Sequence, residues 1–171
     1  MCIRDRINFA ALKDLPVLFV CENNRFSCFT HLSQRQPESR KIFQMVSAMG
    51  IESFECDGND VISVYNMANQ ITKKIKNGEG PKFLELHTDR WLEHCGPNYD
   101  DDLGYRSKIE IKKSRENDPI KILEKKFPEL SSSKKNSIKK ELNLLTEQAF
   151  VFAENSNFPP EKEAYTNLYS Q

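Results

Sequence analysis

Hydrophobic positions change rhythm repeatedly along this chain. A nearly continuous apolar run, Leu15-Pro16-Val17-Leu18-Phe19-Val20-Cys21, has the length and character of a strand covered on both faces. Two shorter runs, 51–56 (Ile-Glu-Ser-Phe-Glu-Cys) and 82–87 (Lys-Phe-Leu-Glu-Leu-His), also predict strands. Between the runs the period lengthens to that of a helix. Around 38–49, Pro37 stands at the start, Ile42, Phe43, Val46 and Met49 supply the apolar positions, and Gly50 marks the stop. Around 60–76, Val61, Val64, Tyr65, Ala68, Ile71 and Ile75 form one stripe. Asn59 or Asp60 can cap that helix, Lys73, Lys74 and Lys76 suit its negative end, and Gly78 closes it.

Strand, helix, strand, helix, strand at this spacing predicts βαβ units, a parallel sheet and the α/β class. Asn8-Phe9-Ala10-Ala11-Leu12 reads as the last turns of a helix, so the chain is expected to be part of a larger fold. Residues 88–107 show no period, which in a compact domain points to a functional or a disordered segment. Beyond them, Asp118-Pro119 predicts the start of a helix of about ten residues. Ser131-Ser132-Ser133 then caps a long one, whose stripe Ile138, Leu142, Leu145, Ala149 and Phe152 suits either core packing or a subunit interface.

Composition narrows the class. Of 171 residues 38% are hydrophobic and 29% charged, which suits a globular protein and not a disordered one. The formal net charge is zero, so no global basic field draws the chain to nucleic acid or membrane. Lysines crowd 108–113, 121–126 and 134–140, where solvated helix faces explain them. The five cysteines, Cys2, Cys21, Cys28, Cys56 and Cys95, form no CxxC, so reduced thiols in a cytoplasm are expected rather than a zinc site. No apolar run reaches the ~18 residues of a membrane helix, and Met1–Arg6 is too short and polar for a signal peptide.

The candidate chemistry lies at the end of the first strand. Ligands of open parallel sheets bind beyond the carboxyl ends of strands, and Asn23 and Asn24 stand there. The Asn24 carboxamide and a carbonyl two residues on can supply two of magnesium's octahedral oxygens, shared with a ligand's phosphates. Taken alone, the pair suits a plain turn equally well, because Asn tolerates positive φ.

Longer stretches point further. Residues 8–26 (NFAALKDLPVLFVCENNRF) resemble the alpha subunit of thiamine-diphosphate-dependent 2-oxo acid dehydrogenases, the pyruvate, branched-chain and acetoin members. In that family a Gly-Asp-Gly motif opens the cofactor-binding segment and an Asn-Asn pair closes it. Cys56-Asp57-Gly58-Asn59-Asp60-Val61 resembles the family's helix start, and Gly78-Glu79-Gly80-Pro81-Lys82-Phe83-Leu84-Glu85 its next strand. Thr88-Asp89-Arg90 with His94, then Tyr105-Arg106 and Asp118-Pro119-Ile120, resemble the active-site loop and the helix after it. Phe158-Pro159-Pro160-Glu161 resembles the approach to the C-terminus. The similarity runs over roughly residues 7–170.

The resemblance implies roles. Asn24 by its side chain and Phe26 by its main-chain carbonyl would ligate magnesium, which would hold the diphosphate. Arg90 and His94 would sit on the loop at the active-site mouth, contacting cofactor phosphate or bound intermediate; both are the catalytic candidates. A guanidinium fork fits phosphate or carboxylate, and an imidazole can donate a proton near neutral pH. Bland readings stand beside these. Arg90 could pair with Asp89 or Glu93, a charged-loop His is commonly solvated, and Trp91 suits loop anchoring. His87 suits a structural role, and His31 could line the cofactor cleft.

The family's activity is decarboxylation of a 2-oxo acid on thiamine diphosphate, with the acyl fragment passing to a lipoyl group on a partner acyltransferase. The alpha subunit grips diphosphate and magnesium, and a beta subunit brings the activating glutamate, so the site would form between subunits, typically of a heterotetramer. On this reading residues 1–6 form a non-native head and 7–107 the C-terminal part of the diphosphate-binding domain, with the active-site loop at 88–107. Residues 108–171 form a helical extension. The Gly-Asp-Gly half is not among these residues, so the chain alone is expected to be inactive. His94-Cys95 stands where the family often has His-Ser, so loop phosphorylation is not expected there. An interaction module without catalysis, or a transketolase-like or acetoin-type enzyme, are the alternatives. A Rossmann nucleotide binder is disfavoured, since no GxGxxG follows a strand.

Overall fold

The computed structural model describes residues 3–166. Cys2 and the start of the expected head lie outside the described residues. Helix α1 (Ile3–Leu12) leads into strand β1 (Leu18–Asn23), a short antiparallel hairpin of β2 (Phe26–Ser27) and β3 (Thr30–His31), and helix α2 (Ile42–Ser47). Strand β4 (Glu52–Asp57), helix α3 (Val61–Lys76) and strand β5 (Lys82–His87) complete the sheet. Helices α4 (Lys108–Glu116) and α5 (Pro119–Lys126) follow. The sheet is parallel with order β1-β5-β4, as the alternation predicts. The chain divides after Lys126, so α4 and α5 belong to the α/β unit.

Central strand β5 explains the burial. Lys82, Phe83, Leu84 and Glu85 are all buried, because the strand has neighbours on both edges and helices on both faces. Side chains alternate across the pleat. Phe83 joins Ile7, Val46 and Ile51 under α1 and α2, whereas Leu84 meets Ile71 and Ile75 under α3. The first strand differs from expectation. It begins at Leu18, not Leu15, and lies on the sheet edge with Val20 52% exposed. Pro16 has no N–H to give a ladder, and the Leu15 amide bonds back to Ala10.

The cap of α3 is Asp60, whose carboxylate accepts from the Ile62 and Ser63 amides. Hydrogen bonds from Lys126 and the Ser63 hydroxyl hold that carboxyl down at about 2. Of the predicted stripe, Ile71 and Ile75 are buried, but Val61 and Tyr65 are exposed. At ~100° per residue they stand about 80° and 120° around the helix from Ile71, at or beyond the stripe's edge. Helix α2 is shorter than expected, because residues 38–41 are not helical.

The second unit holds helix α6 (Ser132–Asn155), capped by Ser131, and a 3-10 turn at Glu161–Tyr165. Ile138, Leu142, Leu145 and Phe152 of its stripe are exposed, so among the described residues they form no core. One helix and one turn offer too little surface to cover them. No described helix is long and apolar enough to cross a membrane.

Candidate functional site

The site is built where β1 and β5 end. After β1 the chain turns twice: the Asn23 side-chain oxygen accepts from the Arg25 amide at 2.9 Å, and the Asn24 oxygen accepts from the Phe26 amide at 2.9 Å. Arg25 takes a left-handed φ of 65° between them. The hairpin folds Phe26 against His31, and the ring also meets Tyr105 edge-on. The strand end therefore does behave as a carboxamide turn, and each carboxamide oxygen keeps a lone pair free for another partner.

The segment after β5 is clamped from the neighbouring strand. Gly58 donates its amide to the His87 carbonyl at 2.7 Å, and an added Cβ there would stand 3.0 Å from that oxygen. Buried Asn59 accepts from the Thr88 hydroxyl at 2.8 Å and donates to Asp89 at 3.2 Å. The stretch 56–61 thus does two jobs, starting α3 and fixing the base of the loop.

Residues 88–107 have no period but are ordered by charge. Asp100, its side chain only 1% exposed, accepts from the Tyr105 hydroxyl (2.6 Å), from Arg106 (2.6 Å) and from Arg90 (3.4 Å). Burial alone would push the Asp100 carboxyl up, but the Tyr105 hydrogen bond and the Arg106 and Arg90 charges outweigh it and hold it low. Burial and the bond to Asp100 push the Tyr105 phenol up. Asp101 binds Arg106 and Arg115, and Arg115 stacks on Trp91 and Tyr99. Trp91 is thereby tied into the loop.

Arg90 is the link to the strand ends. Its Nη2 donates to the Cys28 carbonyl (3.0 Å) and to Tyr105 (3.1 Å) besides Asp100. Neither Asp89 nor Glu93 is its partner: Asp89 pairs with Arg25 at 3.3 Å, and Glu93 accepts from Asn98. Three arginines (Arg25, Arg90 and Arg106) and two acids (Asp89 and Glu110) line one small cavity of about 30 Å³ together with Asn24, Phe26, Tyr105 and Ser114. Among the described residues, buried Arg90 Nε, Arg106 Nε and Ser114 Oγ have no hydrogen-bond partner. A cavity of this size holds one oxygen atom or water. The unpaired atoms sit on residues of this lining, and a guanidinium N–H pairs best with an anionic oxygen.

The other candidates lie elsewhere. His94 is exposed and, among the described residues, forms no hydrogen bond; it does not line this cavity. His31 lines a larger cavity of about 450 Å³, which Asn23 also lines, and Ser33 holds its ring at 2.8 Å. Buried Asp100 and partly buried Arg115 escape sequence reasoning, and Arg106 enters it only beside Tyr105 in the loop resemblance, although the acidic run Asp100-Asp101-Asp102 close to Tyr105-Arg106 carries the charge pattern. Cys21, Cys28, Cys56 and Cys95 are free thiols, and burial first, then nearby carboxylates, pushes Cys21 and Cys56 up, away from thiolate chemistry.

A parallel α/β sheet with a polar, arginine-containing cavity near its strand ends is the arrangement in which open α/β folds bind ligands. The family model of the dehydrogenase E1 component matches residues 3–162, and the chain belongs to that family. It is 31% identical over 170 residues to the pyruvate dehydrogenase E1 component subunit alpha of Rickettsia felis, covering 98% of this chain and 51% of the relative. The same-named subunit of Rhizobium meliloti is 30% identical over 170 residues, 97% of this chain and 48% of its own. The 2-oxoisovalerate dehydrogenase subunit alpha of Bacillus subtilis is 27% identical over 167 residues, 96% of this chain and 50% of its own. The chain spans about half the length of the curated relatives it matches.

Proposed function

We propose that this chain supplies the diphosphate-gripping part of the alpha subunit of a thiamine-diphosphate-dependent 2-oxo acid dehydrogenase. The observation that carries this reading is the cavity where Asn24, Phe26, Arg90 and Arg106 meet, with two buried guanidinium nitrogens lacking an acceptor. The donor set fits one phosphate oxygen. Asn24 by its carboxamide and Phe26 by its carbonyl hold magnesium, an ion that prefers oxygens and shares them with phosphates. Arg90 and Arg106 turn donors toward the phosphate and neutralise its charge.

Bound thiamine diphosphate supplies the nucleophile and electron sink for decarboxylating a 2-oxo acid. The chain's own residues bind, orient and order. Asp100 and Tyr105 hold Arg90 on the wall, and Arg90 in turn ties the loop to the Cys28 carbonyl. His94, exposed on that loop, is left free to meet substrate or intermediate. The beta subunit completes the site in a cytoplasmic heterotetramer, and a lipoyl acyltransferase takes the acyl group.

The test is turnover. The complete alpha subunit containing this chain, assembled with its beta subunit, decarboxylates a 2-oxo acid in the presence of thiamine diphosphate and Mg²⁺, while the 171-residue chain alone shows none. Turnover by the lone chain, or none by the assembly with pyruvate or branched-chain 2-oxo acids, would contradict the proposal.

A further inference from the structure

We infer that Glu55, Glu85 and His87 form a second metal site, for a zinc-class divalent cation, separate from the diphosphate cavity. The sheet brings them together. Glu85 and His87 are two apart on β5 and share a face, and Glu55 on β4 stands in register with Glu85. One nitrogen of the His and one oxygen of each Glu lie within 4.8 Å of one another. His87 Nε2 is 2.8 Å from Glu55, and His87 Nδ1 is 4.0 Å from Glu85.

An independent observation sets this cluster apart from ordinary surface acids. Glu85 is a buried carboxylate, its side chain 3% exposed, and among the described residues no Lys or Arg lies within 4.0 Å of it; His87 is its one charge partner. Buried carboxylates are paired with cations or coordinate metals. The Asn23 amide (2.6 Å) and the Phe43 main-chain N–H (2.9 Å) fix Glu85 in place. Such donors orient a metal-ligating carboxylate from behind. Glu55 and His87 are nearly half exposed, so they can swing the last ångström onto an ion.

The donor set selects the metal. One imidazole and two carboxylates suit zinc better than magnesium or calcium, which favour oxygen alone. Three protein ligands leave a fourth position, and it opens on the cavity of about 450 Å³ that all three residues line. Arg25, Arg40 and Lys41 also line that cavity, against the single further carboxylate of Glu38, so an anionic group can take the open position.

The probes are Zn²⁺ and Co²⁺ alone, added to the full chain under reducing conditions in competition with a chromophoric chelator. His87→Asn and Glu55→Gln, both at half-exposed positions, are each checked for fold by circular dichroism. The site predicts one bound Zn²⁺ weakened at least tenfold by either variant, and a Co²⁺ spectrum without thiolate charge transfer. Zinc affinity unchanged in both folded variants, or a thiolate band abolished by cysteine substitution, would overturn it. The diphosphate proposal is untouched by either result, because it uses none of these three residues.

Discussion

Replacing Asp100 with Asn probes what orders the loop. The substitution keeps the shape of the side chain and removes its charge. One acceptor oxygen becomes an NH₂ facing either Arg106 Nη2 or the Tyr105 hydroxyl, each 2.6 Å from the carboxylate. Breaking a buried ion pair at one partner costs ~3–5 kcal/mol, because the stranded charge stays desolvated. Arg106 keeps Asp101 at 3.2 Å and the Arg90 carbonyl, which argues for the lower end, about 3 kcal/mol. That is a large part of the ~5–15 kcal/mol that holds a typical domain. With a urea slope of about 2 kcal/mol per molar, the unfolding midpoint of Asp100→Asn falls by about 1.5 M. A fall smaller than about 0.3 M would refute the argument that this network holds the loop to the fold.

Two further outcomes follow from the same geometry. Gly58→Ala puts a Cβ 3.0 Å from the His87 carbonyl and 3.1 Å from Leu86 Cβ, so thermal melting shows a loss of about 1–3 kcal/mol; an unchanged Tm would mean the clamp gives freely. The Asp100 carboxyl is held below its ordinary value, so its contribution is complete above about pH 3.9 and is lost as pH falls through the lowered folded value. Fluorescence of the single tryptophan, Trp91, stacked on Arg115, therefore stays constant from neutral pH down to about 4 and changes only below; a change centred at pH 5–6 would assign the loop's order to another group.

Much of the sheet was legible because period and punctuation agree there. The β5 reading coincides with Lys82–His87, and α3 starts at its Asp60 cap and stops before Gly78. Long-range bonds mark where local pattern fails. The first turn of α2 is served by Glu85, forty-two residues away, and no local cap announces it. The Phe26–His31 hairpin rests on left-handed Arg25 and Cys28 and is too short for any alternation to show. The loop is the extreme case. At the strand end Asn24 and the carbonyl two residues on suit a metal or a plain turn equally, Arg90 was legible only through resemblance, and the cavity they share depends on Asp100, Tyr105 and Arg106, whose pairing leaves no periodic trace.

The most direct test of the proposed diphosphate site is a calorimetric titration of thiamine diphosphate into the assembled alpha–beta complex, with Mg²⁺ and then with EDTA, in wild type and Asn24→Ala. The proposal predicts magnesium-dependent binding that weakens at least tenfold in Asn24→Ala. Equal affinity in the two proteins with Mg²⁺ present would contradict the assignment of Asn24 as the ligand through which this chain grips the diphosphate.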